Sequence, residues 1–255
     1  MSIFSGFADI SIAQLLLVAG VALFASVIGG LAGYGTGALM PLVLVPLIGA
    51  EPVVPIIAIS AIFTNLSRAT AYLRYIDRRR ALIAIAAAAV STALGAYGYT
   101  RLTNAGAALV IGAMLISSVP LRRLARRHDV RIGDTGLAVA AVGYGVVVGG
   151  TVGAGVILLS LLMAAGLEGA AVIATDAVIS VATGLIKISV FGLAGVVTAQ
   201  VLAFALLIGA IAIPGAFFAK TFVERMPVHI HTAILDVVVI AGGAMMIWSA
   251  LRQLV

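Results

Sequence analysis

The sequence predicts an all-α, polytopic integral membrane protein, built as two homologous, inverted repeats with glycine-broken helices and eight to ten membrane segments. Three observations lead there. First, 63% of the 255 residues are hydrophobic and only 9% are charged, with a mean hydropathy of +1.26. A soluble domain is about 45–50% apolar and about 25% charged. Second, the basic residues behind the net charge of +6 gather in short loops between apolar runs, the pattern that sets membrane orientation. That placement argues against a nucleic-acid partner. Third, two glycine-rich stretches interrupt apolar runs at corresponding places in the two halves. Such paired breaks are the best sequence pointer to the binding site of a secondary transporter.

Residues 11–28 form the first apolar run. The stretch 29–48 follows, with Gly29, Gly30, Gly33, Gly35 and Gly37 ahead of Pro41 and Pro46. Glycine costs about 1 kcal/mol and proline about 3 kcal/mol in a helix interior, so a break is expected from Gly29, still at membrane depth. Open backbone at that depth is tolerated only inside protein or along a wet cavity. Glu51 and Pro52 mark a loop. Residues 53–73, 81–100 and 105–120 are each near the length that crosses a bilayer, and the basic loop 74–80 joins the first two. Tyr97, Tyr99 and Arg101 fit an interfacial belt at a span end.

Arg122, Arg123, Arg126, Arg127 and Arg131 form the longest polar stretch. It separates a first repeat (1–121) from a second (135–255) as a basic cytoplasmic linker (122–134). Anionic lipid head groups are an alternative partner for it. The second half replays the first: an apolar run 136–148, a break 149–155, an apolar run 156–165, then Gly166-Leu167-Glu168 where the first half has Gly49-Ala50-Glu51. Residues 170–191, 196–219 and 232–251 complete the spans, with Trp248 and Arg252 at the last interface. Lys220, Glu224, Arg225, His229 and His231 surround a turn at Pro227. Reading each broken segment as a re-entrant hairpin or a pair of short spans puts all three basic loops on one side and inverts the second half relative to the first.

Four ionisable residues lie inside apolar runs: Arg68, Asp176, Lys187 and Asp236. Intramembrane charge costs roughly 2.5–3.5 kcal/mol on insertion scales, so each is a functional candidate. Arg68 also has the plainer reading of snorkelling toward Arg74, and Lys187 the same near its own span end. Aligning Ser60 with Asp176 pairs Thr64 with Ser180 and Ser67 with Thr183, leaving Arg68 one turn ahead of Lys187 on one face. Two cations flanked by hydroxyls, with half-helix N-termini supplying amide donors, suit a small oxyanion. The expected substrate-binding residues are Gly33, Gly35, Thr36, Gly37, Thr64, Asn65 and Arg68 in the first half. In the second they are Thr151, Gly153, Gly155, Thr175, Ser180 and Lys187. Asp176 and Asp236 are the expected coupling acids, with Asp176 also the counter-charge of Lys187.

The chain has no cysteine, which excludes disulfides and thiolate chemistry. No cofactor is expected. The glycine run lacks the Gly-Lys-Ser end of a nucleotide loop. A membrane-embedded enzyme would need an acid and base cluster at depth, for which His229 and His231 near Glu224 are the sole candidates. A passive anion channel is the nearer alternative. A homo-oligomer stays open.

The order of these features resembles the sulfite exporter TauE/SafE family, also called the toluene sulfonate uptake permeases. The resemblance covers nearly the whole chain. It rests on Gly33-Tyr34-Gly35-Thr36-Gly37-Ala38-Leu39-Met40-Pro41 followed by Ser60 to Ser67, and on Gly153-Ala154-Gly155 followed by Ala174-Thr175-Asp176. The family pattern has three adjacent glycines and a proline in both breaks. Here Thr36 and Ala154 interrupt the glycines, and Leu159 or Ser160 stands near the place of the second proline. The resemblance implies a secondary transporter of small sulfur-containing anions, sulfite or organosulfonates, in a bacterial or organellar inner membrane.

Overall fold

A computed structural model describes residues 6–7, 10–32, 35–125, 131–223 and 228–254, with the side chains of 28–32, 122–125, 214–223, 228–235 and 254 left aside. The described residues form ten α-helices in chain order: α1 (Ile12–Ala32), α2 (Gly35–Ile48), α3 (Val53–Ala71), α4 (Arg78–Tyr99), α5 (Asn104–Ala125), α6 (Asp134–Gly150), α7 (Gly155–Ala164), α8 (Gly169–Leu193), α9 (Ala199–Val223) and α10 (Val228–Leu254). Among the described residues, α3, α4, α8 and residues 104–121 of α5 are each long and apolar enough to cross a membrane. Large apolar side chains such as Leu16, Phe24, Leu82, Val90, Val139 and Met245 stand exposed on the outer surface, which a hydrocarbon surrounding accepts and water would not.

The breaks are narrower than the glycine count suggests. Helix α1 continues through Gly29 and Gly30 to Ala32, and α2 carries both Pro41 and Pro46 inside it. In hydrocarbon a frayed backbone finds no water, so helix persists through residues that would end it in solution. Pro120 likewise lies inside α5, which runs on to Ala125 rather than stopping at 120. The second break is open from Thr151 to Ala154, between α6 and α7. Helix α7 closes on Gly166 in the left-handed region (φ 88°), where the amide of Leu167 reaches back to the Leu162 carbonyl at 3.1 Å, a cap that glycine favours. Gly49 closes α2 with the same hand (φ 81°).

The helix pairings between the two halves are reciprocal. Helix α4 packs on α6 and α9 on α1; α4 packs on α8 and α9 on α3; α3 meets α8, and α5 meets α10. The tightest seam, α4 on α6, is made of small residues. A Cβ on Gly145 would lie 2.7 Å from the Ala88 carbonyl oxygen, and one on Gly149 2.8 Å from the Ala96 amide. Ala141, Gly145 and Gly149 repeat every fourth residue, the spacing that lets membrane helices approach closely. At the α5–α10 crossing, Gly112 and Gly243 stand against each other's carbonyls. Helices α3 and α8 run antiparallel. Arg68 lies level with Asp176, while Ala58 and Ile62, earlier on α3, lie against Gly184, later on α8.

Two loops are tied to the helices by side chains. Asp77 caps α4 by accepting from the Arg80 amide at 2.9 Å and from Arg80 Nη1 at 2.6 Å, and those bonds, the amide first, hold its carboxyl below the usual range against the opposing effect of burial. Tyr99 departs from the expected interfacial belt. It is buried, and its hydroxyl donates to the Ala50 carbonyl at 2.7 Å, fixing the turn after α2. Tyr97 stays half-exposed with the Arg101 guanidinium over its ring.

Candidate functional site

The two breaks meet. A Cβ on Gly37 would lie 3.1 Å from the Gly153 nitrogen and 3.3 Å from its Cα, so the start of α2 touches the open stretch before α7 backbone to backbone. Gly153 itself takes φ 82°, a conformation that costs an L residue roughly 1–2 kcal/mol. This crossing borders a cavity of about 150 Å³, room for several waters or a small polyatomic anion. Its walls come from both apolar cores, with Ile57 and Ala58 on one side and Tyr144 and Ala154 on the other.

Helix starts supply part of the lining: Gly35, Thr36 and Gly37 from α2, then Gly153, Ala154 and Gly155 leading into α7. The first amides of a helix have no partner within it, and together with the helix dipole they favour negative charge. Helix α3 contributes Ile57, Ala61, Thr64 and Arg68, at helical spacings of four, three and four. Helix α8 contributes Asp176, Ser180, Thr183 and Lys187 with the same spacings. Adding 119 to each α3 position gives the α8 position. The Gly35 and Gly37 positions likewise become Gly153 and Gly155 on adding 118.

At this offset Arg68 stands against Lys187 and Ile57 against Asp176, whereas the alignment of Ser60 with Asp176 puts Arg68 one turn ahead of Lys187.

The pairing of charges also differs from expectation. Asp176 does not hold Lys187, because eleven residues of one helix separate them by about 16 Å along the axis. Its partner is Arg68: Nη2 donates to Oδ2 at 3.0 Å, and Nη1 donates to Asn65 Oδ1 at 3.1 Å. The Asp176 side chain is 2% exposed and that of Arg68 16%. The second carboxylate oxygen of Asp176 is buried with no partner. Lys187, at the far end, donates to the Thr151 carbonyl at 3.1 Å, satisfying the residue that ends α6. The Thr151 hydroxyl is buried without a partner.

Most of the expected residues thus line one cavity: Gly35, Thr36 and Gly37; Thr64, Asn65 and Arg68; Thr151, Gly153 and Gly155; Asp176, Ser180 and Lys187. Three do not. Gly33 lies outside the described residues. Thr175 turns about 100° away from Asp176 on the helix, and its hydroxyl accepts from the Asp77 amide at 3.0 Å, so it ties the α3–α4 loop to α8 instead of facing the cavity. Asp236 is buried on α10, away from this lining. Side chains of Glu224, His229 and His231 fall among those not described.

Two polar lining residues had not been anticipated, Ser26 and Tyr144, and Thr183, one of the aligned hydroxyls, joins them. Tyr144 is 2% exposed, with its ring in the cavity wall and its hydroxyl beside Thr183 and Ser180. The available signal was position. Tyr144 stands ten residues into α6, between Gly143 and Gly145, where an interfacial role does not apply.

A family model described as Sulfite exporter TauE/SafE matches residues 18–246. No curated protein and no solved structure gives a match. The matched span reaches from α1 to α10 and takes in both helix breaks and every wall of the cavity, and with its apolar helices the chain is an integral membrane protein that belongs to the sulfite exporter TauE/SafE family of transporters.

Proposed function

We propose that this chain is a secondary transporter that moves a small sulfur oxyanion, sulfite or an organosulfonate, across the bacterial cytoplasmic membrane, with a proton on Asp176 as the coupled species. The observation that carries the reading is the Arg68–Asp176 pair in the cavity wall, with one carboxylate oxygen unpartnered. The lining holds two cations, Arg68 and Lys187, and one acid, Asp176. An oxyanion that takes the Arg68 fork displaces the carboxylate. A free carboxylate at that depth is strongly disfavoured, so a proton enters with the anion and leaves with it. The planar guanidinium suits the edge of a sulfite or sulfonate group, since two N–H donors meet two oxygens.

The test is flux in proteoliposomes with and without an imposed pH gradient. Asp176→Asn is expected to retain transport driven by the substrate gradient and to lose the response to the pH gradient. A variant that keeps the wild-type response removes Asp176 from coupling.

The reciprocal helix pairing, the antiparallel α3 and α8 and the matched lining positions support reading residues 1–121 and 135–255 as inverted repeats around the cavity. Cysteines placed at Arg79, Arg126 and Arg225 are then expected to react with an impermeant thiol reagent from the cytoplasmic face alone. Labelling at 225 from outside overturns the inverted arrangement.

A further inference from the structure

The matched positions on α3 and α8 differ in polarity at two places, Ala61 against Ser180 and Ile57 against Asp176, and the second carries charge. Arg68 and Lys187 are equivalent, one at each end of the cavity. The acid facing Arg68 is Asp176, whose equivalent is Ile57. In the antiparallel register the position on α3 level with Lys187 is Ile57 itself, since 57 and 187 have the same sum as 68 and 176. One cation therefore has a carboxylate beside it and the other has an apolar side chain. Ile57 is 6% exposed and Lys187 5%.

The unspent hydrogen-bonding groups divide the same way. At the Arg68 end the unpartnered atom is an acceptor, Asp176 Oδ1. At the Lys187 end the ammonium has three donors and the structure gives it one acceptor, the Thr151 carbonyl. The Thr151 hydroxyl beside it is buried, lines the cavity and has no partner. A buried group in that state leaves its full desolvation penalty standing until a ligand meets it.

We propose that Lys187 and Thr151 form a second anion subsite, separate from the Arg68 site, which takes a charged oxygen of the same small oxyanion. This rests on the transporter reading above and adds a place in it. The Lys187 subsite needs no displacement of an acid, so it fills independently of Asp176. The Arg68 subsite fills only when Asp176 yields. Asp176 and Lys187 stand about 16 Å apart along α8, and the two subsites are occupied in turn or by two anions.

The test is sulfite binding by isothermal calorimetry to the purified full-length protein. Wild type is expected to show two binding classes, and Asp176→Asn is expected to remove the proton uptake of the Arg68 class alone, read as a dependence of the heat on the ionisation enthalpy of the buffer. Lys187→Met is expected to lose the other class. Thr151→Val keeps the carbonyl that Lys187 caps and the shape of the side chain, and is expected to weaken that class roughly 5- to 10-fold while leaving the other unchanged. Ile57→Asp, which supplies the missing acid, is expected to compete with the anion and weaken the second class, and Ile57→Asn is expected to leave its affinity near wild type. Two classes that persist unchanged in Thr151→Val and Lys187→Met overturn the subsite and leave Lys187 as a cap for α6, with the Arg68 reading intact. A single binding class in wild type does the same. Absence of any sulfite binding by wild type overturns both.

Discussion

Arg68→Ala is expected to abolish transport and to lower stability, and the two losses are expected to separate in a second variant. Removing the guanidinium leaves Asp176 buried and unpaired, which costs about 3–5 kcal/mol when one partner of a buried pair is lost. It also removes charged hydrogen bonds to the anion worth about 1.5–3 kcal/mol each, so binding at that site should fall at least tenfold. Arg68→Ala/Asp176→Ala removes both charges. Its thermal midpoint should return most of the way to wild type, because an absent pair is far less costly than a broken one, while its flux stays near zero. Arg68→Lys keeps the charge and loses the planar fork, so transport should survive at a reduced level. Thermal unfolding in detergent and flux in proteoliposomes check the set. Wild-type affinity in Arg68→Ala would remove Arg68 from the site.

The second large effect is expected at the crossing of the two breaks. Gly153→Leu and Gly37→Leu should each reduce transport to background, with insertion and expression retained. At Gly37 the new Cβ meets the Gly153 backbone at 3.1–3.3 Å, and backbone gives way poorly. At Gly153 the strain comes from φ 82°, and the added side chain occupies cavity space beside Thr151 and Gly155. Gly143→Leu is the control: its Cβ would meet nothing within 4 Å, so near-normal transport is expected. Normal flux in Gly153→Leu would show that the break serves helix packing alone.

Family, helical membrane class and most of the polar residues that line the cavity were legible in the sequence because each rests on a short-range rule. Apolar length marks a span, clustered glycines mark a break, and an ionisable residue in an apolar run stands out. Several local details were not legible because hydrocarbon changes the rule. Gly29, Gly30, Pro41, Pro46 and Pro120 stay within helices, since an opened backbone there has nothing else to bond. Tyr99 looked interfacial by position and turned out to hold the Ala50 carbonyl.

The sequence by itself determined which groups the site has at its disposal: two intramembrane cations, one nearby acid, hydroxyls at helical spacing and two flexible backbone stretches. Only the tertiary structure decided who faces whom. Asp176 shares a helix with Lys187, and sequence proximity favoured that pair. A straight helix nevertheless holds residues eleven apart at a fixed distance of about 16 Å, and no side chain spans it. The antiparallel packing of α3 on α8 instead brought Arg68, 108 residues away in the chain, to 3.0 Å from the carboxylate. The same packing put Thr175 on the Asp77 amide and aimed Tyr144 into the cavity. It also left Lys187 level with Ile57, with no acid beside it to match the Asp176 that faces Arg68.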